Sequence, residues 1–463
     1  MRQLLLTCGL AFCCLCSCTG QEKSATPAPT PVGDQDGSGA GTRKQGSDWP
    51  AFLGPFGTSV SSEKGIITPW PAQGLRLVWH KKVGAGYAMP VISQGKLYHH
   101  DRIGDHARLT CMNSETGALL WKYEYPTDYR DAFNYSNGPR CCPIVDGDRV
   151  YLFGAEGTLL CVSTTGKLVW KIDTAREFNV YQNFFGVGST PVIEGDLLIA
   201  QIGGSPPKSD PSDFLNLKGN GSGIVAFDKY TGKIRYKISD ELASYAVPVL
   251  TTIDGRRWCF VFARGGLVAF NPADGKIDFH FPFRCEELES VNAANPVVVG
   301  NHVLISETYG PGSCLLKVRP GGYDVVWSDA KKPRKSLQCH WMTPIHHNGY
   351  IYGCSGRHTQ NAQFRCIELA TGKIMWSEPG LTRTSLLMVD DHFICLGEDG
   401  SLRLLKVNPQ KYEEVSQLEV IDPASKRPLL DYPCWAAPIL SHGLLYLHGE
   451  GQLVCLELIA EKK

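Results

Sequence analysis

The chain has 463 residues, with 46 Lys and Arg against 46 Asp and Glu, so its formal net charge is +0. That balance leaves no electrostatic footprint for nucleic acid, and no basic run of the kind an anionic membrane attracts is present. The length suits two or three ordinary domains or one large repeat domain. The 49 glycines, with no long amphipathic helix, point to strands and tight turns.

Met1 to Ser17 reads as a leader. Arg2 gives a positive start, and Leu4 to Leu15 is an apolar stretch too short to span a bilayer. It ends Leu15-Cys16-Ser17-Cys18. This ending resembles a bacterial lipoprotein signal, and the resemblance implies cleavage before Cys18 and a lipid on its thiol. Thr19 follows rather than Asp, so no inner-membrane retention signal is implied. The alternative is an ordinary secretory leader rich in cysteine. Residues 19–47 are Gly, Ser, Thr, Pro and charge, and read as a disordered tether. The folded part runs from 48 to 463, and its first aromatics, Trp49 and Phe52, are expected on its outer or lower surface.

From there one unit recurs. Phe364 to Gly380 reads FRCIELATGKIMWSEPG: an apolar run, a turn through Gly372, then a second run opened by Ile374, Met375 and Trp376. Related copies start at Leu109, Leu159, Ile224, Leu267, Leu315 and Leu402. The aromatic falls at Trp79, Trp121, Trp170, Tyr236, Phe279, Trp327 and Trp376, and Val415 takes its place in the copy from Leu402. Most steps are about 40–50 residues, the length of a four-stranded propeller blade. One step is longer because of the loop-like insert from Gly203 to Ser222. Each copy follows a second strand pair opened by a proline, as at Thr190-Pro191, Asn295-Pro296 and Thr343-Pro344. A proline at a strand's start removes no ladder donor. The last copy, from Gly451, lacks a clear second strand, and Gly74 to Trp79 supplies one from the chain's front. The fold expected is all-β: an eight-bladed propeller of four-stranded antiparallel blades, closed by pairing the N- and C-terminal strands, which removes the open edge.

Of 18 cysteines, five lie in the leader. Cys111, Cys161, Cys366 and Cys455 share one repeat position, filled by Ala226 and Ala269 elsewhere. Equivalent positions on different blades are too far apart to bond, so these read as small buried strand residues. Beyond the leader no C-x-x-C spacing occurs, so a structural zinc site has no support. Cys141-Cys142 are adjacent and open to two readings: a strained ring disulfide, or Cys142 simply filling the slot before a strand proline. His99 and His100 point to opposite faces of a strand and do not easily serve one metal with Asp101 and His106. His346-His347 sits at an expected turn. Glu307, His340, Arg357 and His358 lie near strand ends, where loops gather round a ring's axis. No G-x-S-x-G elbow, P-loop or H-E-x-x-H motif is present.

The ATGKIMW, TTGKLVW and ETGALLW segments resemble the pyrroloquinoline-quinone (PQQ) repeat, also called the tryptophan-docking repeat, over nearly all of the chain from Asp48. The resemblance implies that Trp79, Trp121, Trp170, Trp327 and Trp376, with Tyr236 and Phe279 as substitutes, each pack on the next blade. Two groups share the repeat. One is the propeller lipoprotein of the outer-membrane β-barrel assembly machine, a non-enzymatic scaffold. The other is the quinoprotein dehydrogenases, which hold PQQ and calcium on the axis with carboxylate and amide ligands and an aspartate base. For this second group only Cys141, Cys142, Asn295 and Glu307 are suggestive. The leader, tether and compact blades resemble the first group. The expectation is therefore an exported scaffold, lipid-anchored through Cys18, in the outer membrane facing the periplasm, with a protein partner and no cofactor. The alternatives are a PQQ- and calcium-dependent dehydrogenase and a propeller that binds polysaccharide or a small ligand in its axial funnel.

Overall fold

The computed structural model describes residues 40–181, 184–210, 216–287 and 290–461. Cys18, with the leader and most of the tether, lies outside the described residues. Eight four-stranded antiparallel sheets form the ring, as the repeat spacing required. Blade one contains Val91–Ser93, Lys96–Ile103, His106–Asn113 and Leu119–Pro126. The following blades open at Val192–Glu194, Val249–Ile253 and so on after blade two at Ile144–Asp146, and blade seven opens at Thr384–Val389. Blade eight is closed by both chain ends: Arg76–Lys82 pairs with Gln452–Glu457, placing Trp79 opposite Cys455. The only α-helix among the described residues is the single turn Thr174–Phe178, and no described helix is long and apolar enough to cross a membrane.

The blades are joined by one repeated device. Where the outer strand carries a tryptophan, its indole N–H donates to a carbonyl in the turn of the next blade. Trp79 reaches Ser114, Trp121 reaches Thr164, Trp170 reaches Lys229, Trp327 reaches Leu369 and Trp376 reaches Asn408, all within 2.8–3.0 Å. Tyr236 does the same through its hydroxyl, to Pro272 at 2.7 Å. Phe279 has no donor and packs on the Tyr323 ring, 4.9 Å away. Val415 departs from the pattern for a topological reason. The blade it faces has no turn at that place, because its outer hairpin is assembled from the two chain ends. Trp70 enters there instead, donating its backbone N–H to Ser416 Oγ at 2.9 Å.

The shared cysteine position also has a cause. Cys111, Cys161, Cys366 and Cys455 stand directly across from Trp121, Trp170, Trp376 and Trp79. A small side chain there leaves room for the indole, although blade five accommodates Leu315 across from Trp327. All thirteen cysteines among the described residues are free thiols.

The segment before the first strand closes one end of the axial channel. Trp49 pairs in both directions with Ile92 on blade one's innermost strand, and Pro50 accepts from Val145 N–H on blade two. The chain then crosses to blade seven, where Ser59 and Ser61 pair with Met388. Trp49 is 1% exposed and pairs with an innermost strand, so of the two places expected for it, the outer surface is excluded. Residues 41–47 also lie against the ring, with Gly41 N–H donating to Gly95 and Arg43 paired to Glu457.

Candidate functional site

The strap leaves a blind funnel. A cavity of about 430 Å³ opens on the axis, with Phe52 and Leu53 at its floor. Its wall follows a simple rule. Tyr87, Arg140, Gly188, Tyr245, Ala293, Trp341 and Trp435 line it, and each stands three residues before its blade's strand-opening proline. Blade seven has Leu386 in place of the proline, and Arg383 lines the cavity at the same offset. Each blade thus contributes one residue from the loop entering its innermost strand. The repeat pattern constrains that offset and leaves the residue type free. Gly188 is bare for a reason: a Cβ there would lie 2.4 Å from the Tyr245 ring.

The aromatics form a connected arc. Trp435 stands 4.7 Å from Tyr87, 5.1 Å from Trp341 and 5.7 Å from Tyr135, ring centre to ring centre. Phe185 continues the arc at 5.1 Å from Phe133 and 5.7 Å from Tyr245. At the mouth Phe133 and Tyr135 are 43% and 55% exposed, and Tyr432, 54% exposed, stands beside them 6.0 Å from the Trp435 ring. The loop carrying Phe133 and Tyr135 is pinned from beneath by the Arg102 guanidinium, which donates to the carbonyls of Thr127, Tyr129 and Asn137.

The three arginines of the wall are paired. Arg383 lies 4.5 Å over Trp341 and 5.6 Å from Trp435, and donates through Nε and Nη2 to the buried Glu398 at 2.9 and 2.6 Å. Burial alone would raise the Glu398 carboxyl, but hydrogen bonds from Arg383, Thr359 and Trp435 hold it below its ordinary value. Arg140 pairs with buried Asp131, and Arg357 with Glu287 at 2.7 Å while covering the Tyr309 ring. His340 Nε2 meets Tyr309 Oη at 3.0 Å. Burial, with help from Arg383 and Arg357, pushes the imidazole down to about 3, so it is neutral near pH 7.

Of the residues singled out from sequence, His340, Arg357 and His358 come together on this wall. Glu307 does not line it. Its carboxylate accepts the backbone N–H groups of Tyr309, Gly310 and Gly312 and shapes the loop that presents Tyr309. Burial outweighs these bonds and raises its pKa. Asn295 stitches blades: its Oδ1 accepts from Val247 N–H at 2.8 Å, and its own N–H donates to Thr343 at 3.1 Å. Cys142 occupies the same slot, donating its N–H to Thr190 Oγ1, and Cys141 is buried in the core of blades two and three. His99 and His100 are both buried and face apart. His99 packs on His448 with ring centres 4.9 Å apart, while His100 Nε2 meets Tyr125 Oη at 3.2 Å. Burial depresses both imidazoles, His100 to about 4. His106 is solvated beside Asp105, and His346 and His347 form a short edge strand with Ile345.

A quinone and calcium site needs several converging oxygen ligands and a carboxylate base. Cys141, Cys142, Asn295 and Glu307 do not converge, and the oxygens of the last two already accept backbone N–H groups. Among the described residues no three His, Cys, Asp or Glu side chains are grouped to hold a metal ion. Cys141, Cys142, Asn295 and Glu307 therefore do not assemble that site.

No curated protein matches the chain in sequence. Among solved structures, BamB from Moraxella catarrhalis is 13% identical with a TM-score of 0.54, covering 84% of this chain and 99% of its own. Quinohemoprotein alcohol dehydrogenase from Comamonas testosteroni is 12% identical with a TM-score of 0.59, covering 90% of this chain and 81% of its own. The computationally designed Ika8 protein is 11% identical with a TM-score of 0.51, covering 83% of this chain and 100% of its own. At such identities the likeness establishes the fold alone, which can host many functions. The model of the family described as "Outer membrane protein assembly factor BamB" matches residues 63–205 and 136–378. These matches span most of the ring, and the chain belongs to that family.

Proposed function

We propose that this chain is an exported, non-catalytic scaffold of the cell envelope that holds a protein partner at the mouth of its funnel. Family membership supports the envelope setting. The leader supports a lipid anchor at Cys18, in the outer membrane facing the periplasm, with residues 19–39 as spacer. The observation that carries the binding role is the exposed aromatic rim of Phe133, Tyr135 and Tyr432. Large aromatics left in solvent around one opening mark an interaction surface, and tyrosines are favoured anchors in protein interfaces. They are already held by neighbouring rings, so a partner would meet a pre-shaped surface with little ordering cost. The carboxylates beside the funnel are engaged by arginine or backbone, which suits holding a partner better than proton transfer.

The test is affinity capture from cross-linked envelopes, comparing wild type with a Phe133→Ala, Tyr135→Ala, Tyr432→Ala triple variant. The reading expects one enriched partner with wild type and its loss with the variant at an unchanged melting temperature. The same proteins captured by both would contradict it.

A further inference from the structure

The interior of the funnel has properties that the rim does not need. Trp341 and Trp435 meet with ring centres 5.1 Å apart and planes inclined at 51°. They form a bent wall with no parallel slot for a flat, fused-ring ligand. Such a wall offers single faces to the C–H side of a puckered ring. The charges are closed off as well: Arg140, Arg357 and Arg383 each pair with a carboxylate of this chain. An anion entering here would meet each cation already partnered by a carboxylate of this chain, although Arg357 uses only Nη1 in its pair. Two buried polar atoms remain without a partner in the protein, Trp341 Nε1 and His340 Nδ1. An indole N–H and a neutral imidazole nitrogen suit hydroxyl groups, and buried polar atoms of this kind ordinarily find partners. The cavity, about 430 Å³, is of ligand-binding size. Ala293, small on the same wall, leaves room beside them.

We infer that the axial cavity binds an uncharged sugar ring, its apolar face on the Trp435 indole and its hydroxyls taken up by Trp341 Nε1 and His340 Nδ1, two buried atoms that side-chain rotation must first turn to the cavity. Phe133 and Tyr135 line this cavity as well as the rim, but none of the contacts named here uses them, so the inference stands whether or not a protein partner docks there. Binding is measured by titration calorimetry and tryptophan fluorescence on the purified protein. The probes are maltohexaose, cellohexaose and chitohexaose, with hexagalacturonate as the charged counterpart. At least one neutral hexaose should saturate below about 1 mM. The uronate should bind at least about tenfold more weakly. Trp341→Ala, which removes a wall and a donor, should weaken binding at least about tenfold. Ala293→Phe fills the cavity without removing any contact and should do the same, which covers the case of a Trp341 variant that folds poorly. Absence of saturation by all three neutral hexaoses overturns the inference. So does uronate binding as tight as theirs, or wild-type affinity in Ala293→Phe.

Discussion

The indole of Trp327 covers Gly372 of the next blade while donating its N–H to Leu369 at 2.8 Å. A Cβ on Gly372 would stand 3.1 Å from the indole. Gly117, Gly166, Gly232 and Gly275 have the same relation to Trp79, Trp121, Trp170 and Tyr236. The glycine in the turn therefore has two duties, a left-handed backbone and a bare face for the neighbouring ring. This couples the two most visible letters of the repeat across the blade boundary.

Gly372→Ala measures that coupling. Gly372 and Gly321 both have positive φ, +71° and +77°, but a Cβ on Gly321 meets nothing within 4 Å. Alanine at 321 should cost only the backbone term, about 1–2 kcal/mol. At 372 the crowding against Trp327 adds to it, for about 2–3 kcal/mol in all. Denaturant midpoints of the two variants check this, and equal midpoints would remove the packing role of the glycine.

Trp79 seals the ring, since it lies on the strand from the chain's front and is 7% exposed. Trp79→Ala should cost about 3–5 kcal/mol. Trp79→Phe keeps the ring and loses the bond to the Ser114 carbonyl, for about 1 kcal/mol. Trp376 is less buried, and Trp376→Ala should fall at the lower end of that range. Thermal unfolding of the three variants gives the order.

The same closure has a pH dependence. Arg76 on the first strand and Arg43 on the strap both donate to Glu457 on the last, at 2.7 and 2.5 Å. The bond from Arg76, with that from Arg43, pulls the carboxyl down to about 2 despite burial. A carboxylate depressed on folding stabilises above its unfolded pKa and loses that contribution as pH falls toward the folded one. Wild type should therefore melt above Glu457→Gln near neutrality, and the gap should close between about pH 4.5 and pH 2. A gap that persists at the acid end would rule out the ion pair as its source.

The ring was legible because its packing is periodic. Trp121, Gly166 and Cys161 recur in kind at fixed offsets, since each must fit a neighbour of constant shape. The funnel was not legible for the complementary reason. Tyr87, Arg140, Ala293 and Trp341 face a cavity, so nothing makes them alike, and only their distance from the strand proline betrays them. His340, Arg357 and His358 could be gathered near the axis from their place at strand ends. Glu307 and Asn295 have the same place in sequence but turn to backbone N–H groups, a choice that depends on loop shape. Trp49 belongs to no repeat, and its target, the open edge of an inner strand, exists only once blade one has folded.

The account rests on the axis being a place that holds rather than one that reacts. Adding PQQ and calcium to the purified protein, while following visible absorbance, tryptophan fluorescence and dye-linked alcohol oxidation, tests this most directly. The account predicts no saturable change and no dye reduction. One equivalent of bound quinone with alcohol-dependent turnover would contradict it.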